Sequence, residues 1–410
     1  MEKRQSKALP AIIAALVVQL CVGILYLWSV FRAPIVTAFN WDNAAAGMVS
    51  SYMIMAFVFG NLIGGFLNDK KGPKLTCFAG VILFSLGVGL TAALTPATVG
   101  LIYVTYAVMG GLGSGFAYGA CISCIQKWLP HRRGLASGLA CGAFGLSTVV
   151  FTPLSNTLMN IFTTDGVVNF TPVFLILAVV FAVLGLVASF FVNLPGEEYI
   201  QSLNLPKAAV SGGENYTLGQ AMKKPTFWCL FFSIFFINGT WNLCVPLINP
   251  LGVARGLTPA AAVACVSFTG ITNAAGRIIM STLSDKIGRA NTMYILCGLT
   301  FVGALLTTFI TGYGYFATIA IIAFAYGGPS ALNAALCTDL FGPKNSGTNY
   351  GVAMLALGFS SIFFNWVSNT FLNASVDHVG PTFIMGAITA LVPVVLMYII
   401  QRSLNARKQA

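Results

Sequence analysis

Acidic side chains are scarce in this sequence: ten aspartates and glutamates among 410 residues, against 21 lysines and arginines. Charged residues of both signs make up 8% of the chain and hydrophobic residues 57%, where a soluble globular protein devotes about a quarter of its residues to charge. So little charge cannot coat a water-facing surface, and no soluble core uses so much apolar side chain, so the excess faces lipid. Histidines number two. No zinc-spaced His/Glu set, nucleophile elbow or phosphate loop appears, which argues against an enzyme and leaves neither a catalytic residue, a metal ligand set nor a cofactor to expect. Ten cysteines are present, all within or at the ends of apolar runs, where they behave as small hydrophobes. Cys121 and Cys124 form a C-x-x-C, but it lies in an apolar run without a strand-helix redox context, so it is read as packing.

What remains is long apolar runs. Stretches able to cross roughly 30 Å of hydrocarbon as helix fall near residues 9–31, 44–67, 75–94, 98–126, 134–156 and 169–194. A second set falls near 226–248, 259–283, 292–312, 314–338, 347–374 and 379–401, with Gly312-Tyr-Gly314 as the expected turn between two runs that nearly merge. The basic start, Met1 to Lys7, resembles a signal peptide, but its apolar run continues past Phe31 and is expected to be kept as a first span. The widest polar stretch, 195–225, divides the runs six and six, which predicts domains 1–194 and 226–410 joined by a central loop. With the N-terminus cytoplasmic, 18 of the 21 lysines and arginines lie on the inward side, as the positive-inside rule requires. Both ends are therefore expected in the cytoplasm, and the net charge of +11 is an orientation signal rather than a nucleic-acid footprint.

Two loops repeat each other. The second run leads into Gly65-Phe-Leu-Asn-Asp69-Lys70-Lys71-Gly72-Pro-Lys74, the eighth into Ser281-Thr-Leu-Ser-Asp285-Lys286-Ile-Gly288-Arg289. A small residue, an acid, a base and a glycine recur at the same offsets, each set followed by a further base, at equivalent places in two six-helix halves. That is a signature of duplication. On these residues the chain resembles the major facilitator superfamily over essentially its whole length. The resemblance implies an all-α membrane protein with twelve transmembrane helices in two six-helix bundles around a central cavity opened alternately to each side. It also implies that the loop aspartates, Asp69 and Asp285, help latch one bundle against the other; the plainer reading is that they anchor loops. Gly134, Gly138 and Gly142, and Gly60 with Gly64, repeat at four-residue spacing, which predicts helix faces open to close backbone approach.

Arg277 is the one charged side chain well inside a run. It stands about eight residues before Asp285, roughly 12 Å along a helix, whereas all ten acidic residues sit in loops or at run ends. A guanidinium at mid-membrane costs several kcal/mol unless water or an anion reaches it, and its planar fork matches a carboxylate. The substrate is the expected counter-ion; the alternative is a guanidinium that binds carbonyls at a helix break or snorkels to the interface. Asn273, one turn earlier on the same face, can orient it. Tyr26 and Trp28, Tyr118, and Tyr326 are mid-run aromatics suited to a desolvated cavity.

Within the superfamily the chain resembles the oxalate:formate antiporter group, related to the monocarboxylate transporters. The matching pieces are Gly23-Ile-Leu-Tyr26-Leu-Trp28-Ser29, Lys127-Trp-Leu-Pro-His-Arg-Arg133-Gly134-Leu-Ala-Ser-Gly138, Asn273 to Arg277, and Asn349-Tyr350-Gly351. The resemblance implies carboxylate binding by Arg277 and aromatic cavity residues at Tyr26, Tyr118 and Tyr326. The oxalate exchanger's second buried base is replaced here by Leu357, in the run Met354-Leu-Ala-Leu357, so a dianion would leave a charge unpaired in low dielectric. A monoanion of the formate, acetate, lactate or pyruvate class is expected. The aspartate that animal monocarboxylate transporters carry one turn before the arginine is Asn273 here. His131 and His378 are not placed to relay a proton. Two schemes follow: symport, in which acid and proton move together, and exchange of anions. A carboxylate sensor is the reading of a different class, but 195–225 is too short for a signalling domain. A cationic-drug exporter is disfavoured by the positive site. The expected setting is a bacterial cytoplasmic membrane, with the bilayer and a small monoanion as partners, no nucleic acid, and a monomer.

Overall fold

A backbone in hydrocarbon has no water to satisfy its N–H and C=O groups, so apolar runs of this length must close their hydrogen bonds internally as helix. The computed structural model describes residues 2–23, 27–203, 215–244, 247–374 and 380–409, and the chain is an all-α membrane protein. Ten helices among the described residues are long and apolar enough to cross a membrane, from Ala45–Lys71 to Gly380–Asn405. The two expected runs outside that set are helical too. The first is carried by Glu2–Val22 and Trp28–Phe39, and the eighth by Pro259–Ile287, 29 residues long. With these two, the helices follow the order of the twelve runs. Phe170–Phe191 shows how lipid shapes a helix that is apolar all round. Val179, Val183, Val187 and Phe190 form an exposed stripe, while Phe174, Leu177 and Phe181 are buried on the other side. Among the described residues the one sheet is a ribbon, Thr163–Thr164 against Val167–Val168, turned through Asp165 and Gly166 at φ 53° and 78°, the geometry of a tight I′ hairpin.

The repeated loop has a backbone reason. Asn43–Lys71 ends at Gly72 with φ 85°, and Pro259–Ile287 ends at Gly288 with φ 92°. Each glycine N–H closes the last helical turn, on Asn68 O at 2.9 Å and on Ser284 O at 3.1 Å. A side chain strains that conformation, so the glycine recurs in both copies.

Two compact units form. The first comprises Met1–His131, Ala143–Val210 and Pro343–Gly351; the second comprises Arg132–Gly142, Ser211–Gly342 and Val352–Ala410. Relative to halves at 1–194 and 226–410, two short segments are exchanged, 132–142 and 343–351, because their tertiary partners lie in the other half of the sequence. In the first unit, Gly60 and Gly64 lie against the backbone of Leu112 and Phe116, where an added Cβ would stand 2.7 and 2.6 Å from their Cα atoms. In the second, Gly134, Gly138 and Gly142 lie against Ser281, Arg277 and Ile278. Both glycine columns therefore seat a helix, as their spacing predicts.

The turn at Gly312, φ 59°, is secured by a residue whose role the sequence did not reveal. Arg255, between Ile248–Ala254 and Pro259–Ile287, donates to the carbonyls of Thr307, Ile310 (3.0 Å) and Thr308 (3.2 Å), and its own carbonyl accepts from Gly312 N at 2.8 Å. Its guanidinium also faces the rings of Tyr315 and Phe383 at 5.5 and 5.8 Å. A cation on the last carbonyls of the Arg289–Phe309 helix satisfies orphan acceptors and opposes the helix dipole. Arg255→Met is expected to cost about 1–3 kcal/mol. It should lower the melting temperature of the purified protein in detergent by several degrees, with uptake per folded molecule unchanged.

Candidate functional site

The Pro259–Ile287 helix places Asn273, Arg277, Ser281 and Asp285 one turn apart, a polar column in the second unit. Opposite runs the glycine column of the Arg133–Ile161 helix. From one end to the other, Asp285 accepts from Gly134 N (2.9 Å) and Leu135 N (2.8 Å), Gly138 lies on the Arg277 carbonyl, and the Arg277 guanidinium reaches the Cys141 carbonyl. Ser281 Oγ donates back to Arg277 O. Glycines that the sequence marks as packing residues thus pack on the helix that carries the charge.

Arg277 is 4% exposed. Its Nε donates to Asn273 Oδ1 at 2.7 Å and its Nη1 to Cys141 O at 3.1 Å. Both acceptors are neutral oxygens, and together they fix the orientation of the fork. The expected pairing of Asn273 with Arg277 is present. A third helix closes on the same backbone: Gly327 of Tyr313–Phe341 lies on Asn273, where an added Cβ would stand 3.0 Å from its carbonyl carbon and 3.1 Å from Arg277 N. Tyr326, half-buried, is the residue before it and stacks on Trp241, ring centroids 5.1 Å apart and planes 18° apart.

Met354, buried, stands between the Ser346–Ala353 and Leu355–Ala374 helices, and its carbonyl accepts from Leu357 N at 2.9 Å. Leu357 is half-buried in the same unit. Tyr118 belongs to the first unit, where it is buried edge-on to Phe57 and Phe144 at 5.1 and 5.0 Å and its carbonyl accepts from Gln19 Nε2 at 3.3 Å. Tyr26 and His378 lie outside the described residues. Trp28 spends its indole N–H on Ala46 O at 2.8 Å and packs on Tyr106, so it anchors helices.

Asp69 and Asp285 do the same chemistry in the two units. Asp69 accepts from Gly347 N (3.2 Å) and Thr348 N (2.7 Å), and Asp285 from Gly134 N and Leu135 N. Each carboxylate takes the first N–H groups of a helix, where backbone donors are unsatisfied and the dipole is positive. Asp285 also pairs with Arg289 (2.7 Å), which pairs with Asp339 (2.9 Å), which pairs with Arg133 (2.9 Å). Asp339, at the end of the Tyr313–Phe341 helix, was missed by sequence reasoning, although a lone acid at a helix end in so base-rich a chain is a signal for an ion pair. Trp241 and the Cys141 carbonyl were missed as well, and no sequence pattern marks either.

Residues 11–365 match the sequence profile of the Major Facilitator Superfamily. The chain is 28% identical over 363 residues to the oxalate:formate antiporter of Oxalobacter formigenes, covering 86% of this chain and 82% of that one. It is 26% identical to monocarboxylate transporter 13 of Bos taurus, covering 70% of this chain and 63% of the relative. Among solved structures it is similar to the proton:xylose symporter XylE bound to 6-bromo-6-deoxy-D-glucose, with a TM-score of 0.75 at 15% identity and 96% of each chain covered; that likeness is one of fold.

Proposed function

The chain belongs to the major facilitator superfamily, and from that premise we propose that it is a secondary transporter of small monocarboxylates of the lactate, pyruvate and formate class, proton-linked and working by alternating access. The observation that carries the reading is Arg277: a guanidinium almost fully buried in a membrane helix, aimed by Asn273 and the Cys141 carbonyl. An oriented fork in low dielectric favours a planar carboxylate over other small anions, because two parallel N–H···O bonds can form at once. The named substrates of two relatives, oxalate with formate and monocarboxylates, agree with that chemistry. Leu357 favours the monoanion, since a second carboxylate would enter without a second base. In this reading Tyr118 and Tyr326 supply aromatic surface, Asp69 and Asp285 latch the transport cycle, and the protein works as a monomer in a bacterial cytoplasmic membrane with both termini inside.

Counterflow in proteoliposomes tests the substrate class. Formate, lactate and pyruvate are expected to exchange rapidly and oxalate slowly. Leu357→Lys is expected to raise oxalate relative to pyruvate about tenfold, the scale of one added charge pair. Oxalate outcompeting pyruvate in the unaltered protein would refute the single-base argument. The 28% identical antiporter favours a second reading, obligate exchange. An inward proton gradient separates the two: it accelerates net pyruvate uptake in symport and leaves it unchanged in exchange.

A further inference from the structure

We propose that Trp241 reads the substituent beside the substrate carboxylate and so selects 2-oxo and 2-hydroxy monocarboxylates over unsubstituted acids of the same length. The inference rests on the assignment of Arg277 as the carboxylate's partner and goes beyond it to the rest of the substrate.

The placement of Trp241 is built, residue by residue, within the second unit. The helix from Pro225 ends at Ile237, Asn238 Nδ2 turns back on Ile234 O at 2.6 Å, and a new helix runs Gly239–Cys244. Its residues on both sides of Trp241 are tied to other helices: Thr240 Oγ1 donates to Gly386 O (2.7 Å), Asn242 Nδ2 to Ser360 Oγ (3.2 Å), and Leu243 O accepts from Ser368 Oγ (2.7 Å). Polar groups that would otherwise be costly in lipid thus hold the backbone in place. The indole is left half-buried, packed against a core that includes Cys244, Leu247 and Phe383 and stacked flat on Tyr326. Tyr326 adjoins Gly327, which touches the backbone of Asn273 and Arg277. The aromatic pair therefore begins one residue from a close backbone approach to the arginine's helix.

The indole N–H carries the chemistry. Buried indoles find acceptors: the buried Trp28 and Trp128 donate to the carbonyls of Ala46 and Asn193 at 2.8 and 2.7 Å, and the exposed Trp228 donates to that of Met222 at 2.9 Å. Trp241 has no hydrogen-bond partner among the described residues. An indole donates and cannot accept, so it complements a keto or hydroxyl oxygen and offers nothing to a methylene. The stacked rings supply an apolar face for a short carbon chain, while the arginine takes the carboxylate.

The test compares pyruvate with propionate in proteoliposomes holding the full chain. Trp241→Phe keeps a ring on Tyr326 and deletes the N–H. The pyruvate-to-propionate uptake ratio is expected to fall about fivefold, the worth of one hydrogen bond. Trp241→Ala removes the wall as well and is expected to lose propionate too. If uptake by Trp241→Phe is too slow to measure, the ratio of affinities by calorimetry on the purified protein replaces it. An unchanged ratio by either readout overturns the proposal, as does a wild-type protein that prefers propionate. Arg277→Lys distinguishes the two levels. If that variant still moves both acids, the carboxylate reading has failed; if it stops both while Trp241→Phe leaves the ratio intact, only the role of Trp241 falls.

Discussion

Arg277→Lys is expected to reduce pyruvate counterflow about thirtyfold or more while the protein remains helical and melts within a few degrees of the original. The two outcomes separate because the charge is kept and the shape is lost. Lysine is a compact point charge on a flexible stem, whereas the guanidinium is a rigid fork. Asn273 Oδ1 and the Cys141 carbonyl hold Nε and Nη1 at 2.7 and 3.1 Å, and a single ammonium cannot reach both and still present two parallel donors. Truncating one partner of a buried, hydrogen-bonded charge pair costs about 2–5 kcal/mol, which at 1.4 kcal/mol per decade is about thirtyfold to several thousandfold. Initial counterflow rates, with circular dichroism on the same preparation, decide the matter. A lysine variant that transports at more than a tenth of the original rate means that the carboxylate is recognised elsewhere.

Much of the fold is legible in the sequence, and the physical reason is that lipid simplifies the problem. A run of some twenty apolar residues has one solution in a bilayer, so helix order and the Gly312 turn follow from the sequence. The two loop repeats could be read because Gly72 and Gly288 both need a positive φ, a demand that the residue type announces. Asn273 with Arg277 was legible as an i, i+4 pair on one helix. What the sequence hides is whatever depends on which helix faces which. The exchange of residues 132–142 and 343–351 between the compact units follows from tertiary contacts, so boundaries at 194 and 226 cannot anticipate it. The Cys141 carbonyl is a backbone group and leaves no mark in residue identity. Arg255 reads as an ordinary loop base, and its three carbonyl partners come from the end of a helix about fifty residues away. Trp241 is one aromatic among many until its stacking partner is known.

The same hidden pairings predict an asymmetry between the two loop aspartates. Asp69 is held by Gly347 N, Thr348 N and Asn68 Nδ2, all neutral donors. Asp285 caps Gly134 and Leu135 and also ends an alternating chain, Arg133–Asp339–Arg289–Asp285, whose side chains are 6, 27, 13 and 13% exposed. An asparagine at 69 still offers one oxygen to a helix N-terminus, and losing the charge there costs about 1 kcal/mol. An asparagine at 285 additionally leaves two arginines sharing one carboxylate in a half-desolvated place, where stranding a charge costs more than the pair was worth. Asp285→Asn is therefore expected to slow uptake about tenfold or more and lower the melting temperature clearly, and Asp69→Asn to slow it about two- to threefold. Uptake rates and melts measured side by side check the order; equal losses would mean that the charge chain adds nothing to the cap. The double variant Asp285→Asn, Arg289→Gln isolates the cause. If the stranded guanidinium is the penalty, removing it recovers part of the lost stability even though another ion-pair member is gone. If the cap alone matters, the double variant melts no higher than Asp285→Asn.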